Sequence, residues 1–157
     1  MKEAVIVAGA RTPVGKAHKG SLAHMRPDDL AALTIKETLK RADNYDGTID
    51  DVIIGCAMPE AEQGMNMARN IAGLAGLKND VPGITINRYC SSGLQSIAYA
   101  AQQIISGFGD TILAGGAESM SLIPMGGHVI KPNTKLVQDT GLLYGNGAYG
   151  RGSGQAI

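Results

Sequence analysis

The chain has 157 residues, of which 44% are hydrophobic and 18% charged, and its formal net charge is zero. This composition fits one globular domain with a core and excludes a disordered chain. It also excludes the basic footprint of a nucleic-acid binder, and no apolar run is long enough for a membrane span.

The N-terminal stretch "MKEAVIVAGARTPVGK" has too short an apolar run for a signal-peptide core and reads as a first strand, "AVIVA" (4–8), buried on both faces. A loop with Pro13, Gly15 and Gly20 follows. Pro27, Asp28 and Asp29 then open a helix, with Ala31, Ile35, Leu39 and Ala42 as its apolar stripe. "DVIIGCA" (51–57) is a second strand, and "QGMNMARNIAGLAGL" (63–77) a second helix, weakened by Gly73. Met65 and Met67 read as packing on that helix. "GITINRY" (83–89) is a third strand. Residues 92–106 form a third helix with Leu94, Ile97, Ala98, Ala101 and Ile105 on one face, ended by Gly107 and Gly109. "DTILAGGA" (110–117) is a fourth strand.

Strands alternating with helices predict an α/β domain with a mostly parallel sheet. Ligands of such sheets bind where the strands end. Cys90 falls there, in "NRYCSSGLQS", between the third strand and the third helix. Free N–H groups and the dipole at a helix start favour a thiolate, which suits a nucleophile in acyl transfer. Ser91 and Ser92 are candidate helix caps, and Gly93 permits a close approach. The alternative is a small buried cysteine. Cys56, which also ends a strand, reads as core packing.

His18, His24 and His128 are the candidate bases, and each reads better as a solvated loop residue. Glu118 reads as a carboxylate that holds its loop by bonding backbone. "GARTPVGK" lacks phosphate-loop spacing. No Cys/His spacing suits a metal, and two cysteines in the whole chain point to a reducing cytoplasm.

Four segments, "VIVAGARTPVGK" (5–16), "VIIGCAMPEAEQGMNMAR" (52–69), "TINRYCSSGLQSIAYAAQQI" (85–104) and "AGGAESMSLIPM" (114–125), resemble the thiolase family, in family order and spacing. The resemblance covers roughly residues 1–138 and is narrowest toward bacterial 3-ketoacyl-CoA thiolases. It implies a thiolase-like N-terminal α/β half over 1–120 and the start of a loop insertion over 121–139. It implies Cys90 as the acyl-accepting nucleophile, acyl-CoA and CoA as substrates, no metal or bound cofactor, and a homo-oligomer. The implied reaction is thiolytic cleavage of 3-ketoacyl-CoA, as in fatty acid β-oxidation, or the reverse Claisen condensation.

The family's activating histidine lies in a Gly-His-Pro motif and its second catalytic cysteine in Cys-x-Gly. Neither motif occurs in these 157 residues, and His128 stands in "GGHVI". The chain alone is therefore expected to be inactive in thiolysis. The alternative reading is a non-catalytic truncated product, or a fragment that needs a partner chain. The Gly-rich stretch 140–157 departs from the family pattern and is expected to be a shifted-frame reading with no selected fold, the alternative being a genuine, divergent Gly-rich tail.

Overall fold

The computed structural model describes residues 2–43 and 45–135. Its elements in chain order are α1 (Pro27–Arg41), β1 (Asp51–Gly55), α2 (Met67–Ala75), β2 (Gly83–Ile86), α3 (Ser92–Ser106) and β3 (Ile112–Gly116). The three strands form one sheet in the order β2-β1-β3, and both pairings are parallel. Ile54 lies between Thr85 and Gly115, so the strands end together at Gly55, Ile86 and Gly116. The expected α/β architecture is present, and no described helix is long and apolar enough to cross a membrane.

Strand alternation divides β1 between two layers. Val52, Ile54 and Cys56 face α1 and α2 in a core that includes Ile35, Met67, Ala68 and Ile71. Gly55, on the opposite face, meets α3 at Ser92 and Gly93. The start of α1 is fixed by sequence chemistry: Pro27 occupies the first turn, and Arg26 makes a fork to buried Asp28 at 3.0 and 2.8 Å.

Four expectations need correction. Residues 4–8 join no ladder, and Val5, Ile6 and Val7 are 68%, 84% and 72% exposed. Apolar, β-branched residues favour a strand, but only a neighbouring edge supplies its hydrogen bonds. Here a cavity of about 190 Å3 separates residues 8–12 from the flank of β3. The second helix starts at Met67 rather than Gln63. Residues Ala61–Gln63 form a single 3-10 turn, and Met65 has a left-handed φ of 57° that no helix accepts. Met65 is therefore exposed, whereas Met67 packs in the core as read.

The third correction concerns α3. Its buried residues are Ser92, Ser96 and Ala100, while Leu94, Ile97 and Ile105 of the expected apolar face are exposed. The helix lies so close to the sheet that small side chains fill the contact. Ser96 is fully buried and donates to the carbonyls of Gly93 and Gly115 at 2.7 and 2.8 Å. The fourth correction, to Ser91 and Ser92 as caps, belongs to the site below. The tail 140–157 lies outside the described residues.

One carboxylate ties β1 to β3 below the sheet. Asp50 accepts the N–H groups of Asp110 and Thr111 at 2.7 and 3.0 Å. Those bonds hold its carboxyl below the ordinary carboxylate range. A lowered folded-state value adds stability above the unfolded-state pKa of about 3.9, and that increment disappears as pH falls through the folded-state value. Asp50→Asn should therefore destabilise the chain near neutral pH, with the difference from the native chain shrinking below about pH 4. Urea midpoints measured from pH 7 to pH 3 check this; a difference that grows toward acid contradicts it.

Candidate active site

Cys90 follows β2 and precedes α3, at the edge where all three strands end. It is exposed and free, whereas Cys56 is free and buried. Between strand and helix the chain turns at Tyr89, whose φ is 48°. Gly93 is where the helix touches the sheet. A Cβ built on Gly55 would stand 2.5 Å from the Gly93 nitrogen and one on Gly116 3.2 Å from the Gly93 Cα, so the expected close approach is to another chain segment.

The serines do not cap as expected. Ser91 occupies the N-cap position without a side-chain cap bond, and its Oγ donates to the Arg88 carbonyl at 2.8 Å. Ser92 Oγ accepts the Arg88 N–H at 2.8 Å and donates to the Tyr89 carbonyl at 2.6 Å. Both hydroxyls thus reach back into the turn. Within the described residues, no hydrogen-bond acceptor meets the N–H of Cys90, Gly93 or Leu94. Unpaired N–H groups around a nucleophile can receive a developing negative charge.

Beneath this edge lies a polar cluster that no sequence motif announced. Gln63 is fully buried in the turn before α2. Its Nε2 donates to the Met58 carbonyl at 2.8 Å and to Glu118 Oε1 at 2.5 Å, and its Oε1 accepts the Ser119 N–H at 2.5 Å. Glu118 Oε2 accepts the Ala57 N–H at 2.6 Å. Glu118 thus holds backbone, as the sequence reading had it. Cys56 Sγ stands 3.4 Å from Gln63 Nε2. Burial first, and the nearby Glu118 charge second, push the Cys56 thiol up to about 12.

Gln63→Leu should remove the amide partner of Glu118 Oε1 and of the Ser119 N–H and cost about 2–4 kcal/mol. Urea unfolding at neutral pH measures it; a loss below about 1 kcal/mol means that water replaces the amide.

The histidines remain loop residues, as read, and none forms a hydrogen bond with Cys90 among the described residues. The His18 N–H donates to Ser121 Oγ at 3.0 Å. The His128 N–H donates to Glu60, and its Nε2 stands 3.8 Å from Glu62. A cavity of about 470 Å3 opens between the 12–17 loop, the start of α1 and residues 116–121, and Cys90 is not in its wall. Among the described residues no three His, Cys, Asp or Glu side chains group as metal ligands do.

The site is thus a parallel α/β edge with an exposed cysteine at a strand-to-helix turn. The profile of the thiolase N-terminal domain matches residues 4–142, and the chain belongs to the thiolase family. It is 72% identical over 138 residues to a 3-ketoacyl-CoA thiolase of Bacillus subtilis, covering 88% of this chain and 35% of that protein. It is 49% identical over 125 residues to the 3-oxoadipyl-CoA/3-oxo-5,6-dehydrosuberyl-CoA thiolase of Escherichia coli, covering 79% of this chain and 31% of that one. The crystal structure of a Bacillus anthracis acetyl-CoA acetyltransferase superposes with a TM-score of 0.72 at 39% identity, over 77% of this chain and 30% of that one. The chain thus spans about a third of the length of these relatives.

Proposed function

We propose that this chain supplies the nucleophile of a thiolase-type acyl transfer, with Cys90 as the acyl acceptor and 3-ketoacyl-CoA and CoA as substrates. The observation that carries the reading is the exposed Cys90 at the start of α3, beside unpaired N–H groups, in a chain matched to the thiolase N-terminal domain. The Cys90 thiolate attacks the 3-keto carbon of the substrate. A thioester forms between Sγ and that acyl carbon, and the C2–C3 bond breaks. The departing acetyl-CoA carbanion takes up a proton from an acid. The CoA thiol, losing its proton to a base, then attacks the acyl-cysteine, releases the shortened acyl-CoA and restores Cys90. The free N–H groups around Cys90 are suited to the oxygen that becomes negative in the attack.

The acid and base are assigned to the Gly-His-Pro and Cys-x-Gly motifs of the family, which do not occur in these 157 residues. The division into residues 1–120, 121–139 and 140–157 stays part of this proposal, as do a second copy as partner, a place in fatty acid β-oxidation and a reducing cytoplasm. The test is a chimaera in which residues 1–138 replace the matching part of the Bacillus subtilis relative. Acetoacetyl-CoA thiolysis is expected from the chimaera, none from the present chain alone, and background from Cys90→Ala in the chimaera. Thiolysis that survives Cys90→Ala refutes the assignment.

A further inference from the structure

The residue before Cys90 has an unusual backbone conformation. Tyr89 has φ 48°, a conformation that an L residue holds only when its surroundings impose it. Tyr89 is 47% exposed, so packing alone is a weak restraint. Beside the backbone bonds of the turn, from the Ser91 N–H to the Arg88 carbonyl at 3.2 Å and from the Ser92 N–H to the Tyr89 carbonyl at 3.0 Å, two side chains grip the peptide groups on either side.

On the strand side, Asn87 Oδ1 accepts the Tyr89 N–H at 2.8 Å, while Asn87 Nδ2 donates to the Ala57 carbonyl at 3.0 Å. The turn is thereby fastened to the segment leaving β1. On the helix side, Ser92 is 3% exposed and clasps the Arg88 N–H and the Tyr89 carbonyl through one hydroxyl. That carbonyl belongs to the peptide group leading into Cys90. Neither Asn87 nor Ser92 bonds the thiol itself.

We propose that Asn87 and Ser92 are positioning residues, which hold Tyr89 in the left-handed conformation and so aim the Cys90 thiol out of the turn at the helix start. The functional meaning of this clamp rests on Cys90 being the nucleophile; the geometry stands without it. If the clamp acts through the conformation of Tyr89, glycine at that position makes it dispensable, because glycine takes positive φ freely. A role for Ser92 in packing alone has no such remedy.

The experiment is iodoacetamide alkylation of the full chain, read by mass spectrometry separately at Cys90 and at buried Cys56, whose protection reports the fold. Ser92→Ala and Asn87→Ala should slow alkylation of Cys90 by about tenfold, the effect of losing one well-formed hydrogen bond, with Cys56 still protected. Asn87→Asp keeps the acceptor for the Tyr89 N–H but loses the donor to the Ala57 carbonyl, and should fall between the native and Asn87→Ala rates. Tyr89→Gly combined with Ser92→Ala should return to within about twofold of Tyr89→Gly alone.

An unchanged Cys90 rate in both alanine variants overturns the proposal, and so does a double variant as slow as Ser92→Ala. If Ser92→Ala exposes Cys56, the exposed Asn87 pair decides: equal rates for the Ala and Asp variants overturn the clamp. Alkylation needs no catalytic base residue, no CoA and no turnover, since solvent takes the thiol proton. Its failure is therefore distinct from failure of the chimaera in thiolysis.

Discussion

Gly55→Ala is expected to unseat the beginning of α3 and to destabilise the chain by about 3 kcal/mol or more. A Cβ at Gly55 would lie 2.3 Å from the Ser92 carbonyl carbon and 2.5 Å from the Gly93 nitrogen. Those atoms are backbone in the first turn of a helix, so no side-chain rotation relieves the overlap. Either β1 or α3 must shift, and the first turn of α3 carries the Ser92 clasp behind Cys90. Two other glycines calibrate the effect. At Gly93 a new Cβ meets Gly116 at 3.8 Å, an ordinary contact, so Gly93→Ala should cost little. At Gly73, inside α2, nothing stands within 4 Å, and Gly73→Ala should stabilise by about 0.5–1 kcal/mol through helix propensity. Urea midpoints of the three variants check the order; equal midpoints for Gly55→Ala and Gly93→Ala would show that α3 is not seated as described.

The second large effect is the contrast between the two thiols. At pH 8 and with iodoacetamide in excess, Cys90 should react at least about a thousandfold faster than Cys56, since only a thiolate attacks. Cys56 is 1% exposed, and its thiol is pushed up to about 12. Its ionised fraction at pH 8 is on the order of one in ten thousand. Cys90 stands open to solvent. Peptide mapping after timed quenching gives both rates, and adding 6 M urea as a denaturant should bring them together. Equal rates without denaturant would mean that the core around Ile54, Met67 and Ile71 is not closed.

Periodicity placed α1, β1, β2, α3 and β3 within a few residues of where they lie, because each carries its pattern locally. Residues 4–8 show what pattern omits: a strand needs a neighbour, and the neighbour is not encoded in the strand. The face of α3 failed for a different reason. Counting apolar residues picks Leu94, Ile97 and Ile105, whereas the distance between helix and sheet selects Ser92, Ser96 and Ala100. At the site, Cys90 was legible from its place between strand and helix and from the thiolase-like wording around it. Glu118 was legible as a holder of backbone. Gln63 was not, since a glutamine in a short turn carries no signal until the fold brings Met58, Glu118 and Ser119 around it. The part played by Ser92 was half legible: the hydroxyl was noticed, but its partner was taken to be the helix rather than the turn behind it.

The unladdered residues 4–8 also bear on handling the protein. β3 carries β1 on one side and no described strand on the other. Its outer row of N–H and C=O groups is a template for any extended chain, and Val5, Ile6 and Val7 are apolar and exposed. In a concentrated stock, the N-terminus of one molecule can lie down along β3 of the next, and that molecule still has its own N-terminus to offer. Such a head-to-tail contact need not close on itself. A contact of this kind strengthens with protein concentration, and light scattering over a dilution series reads it.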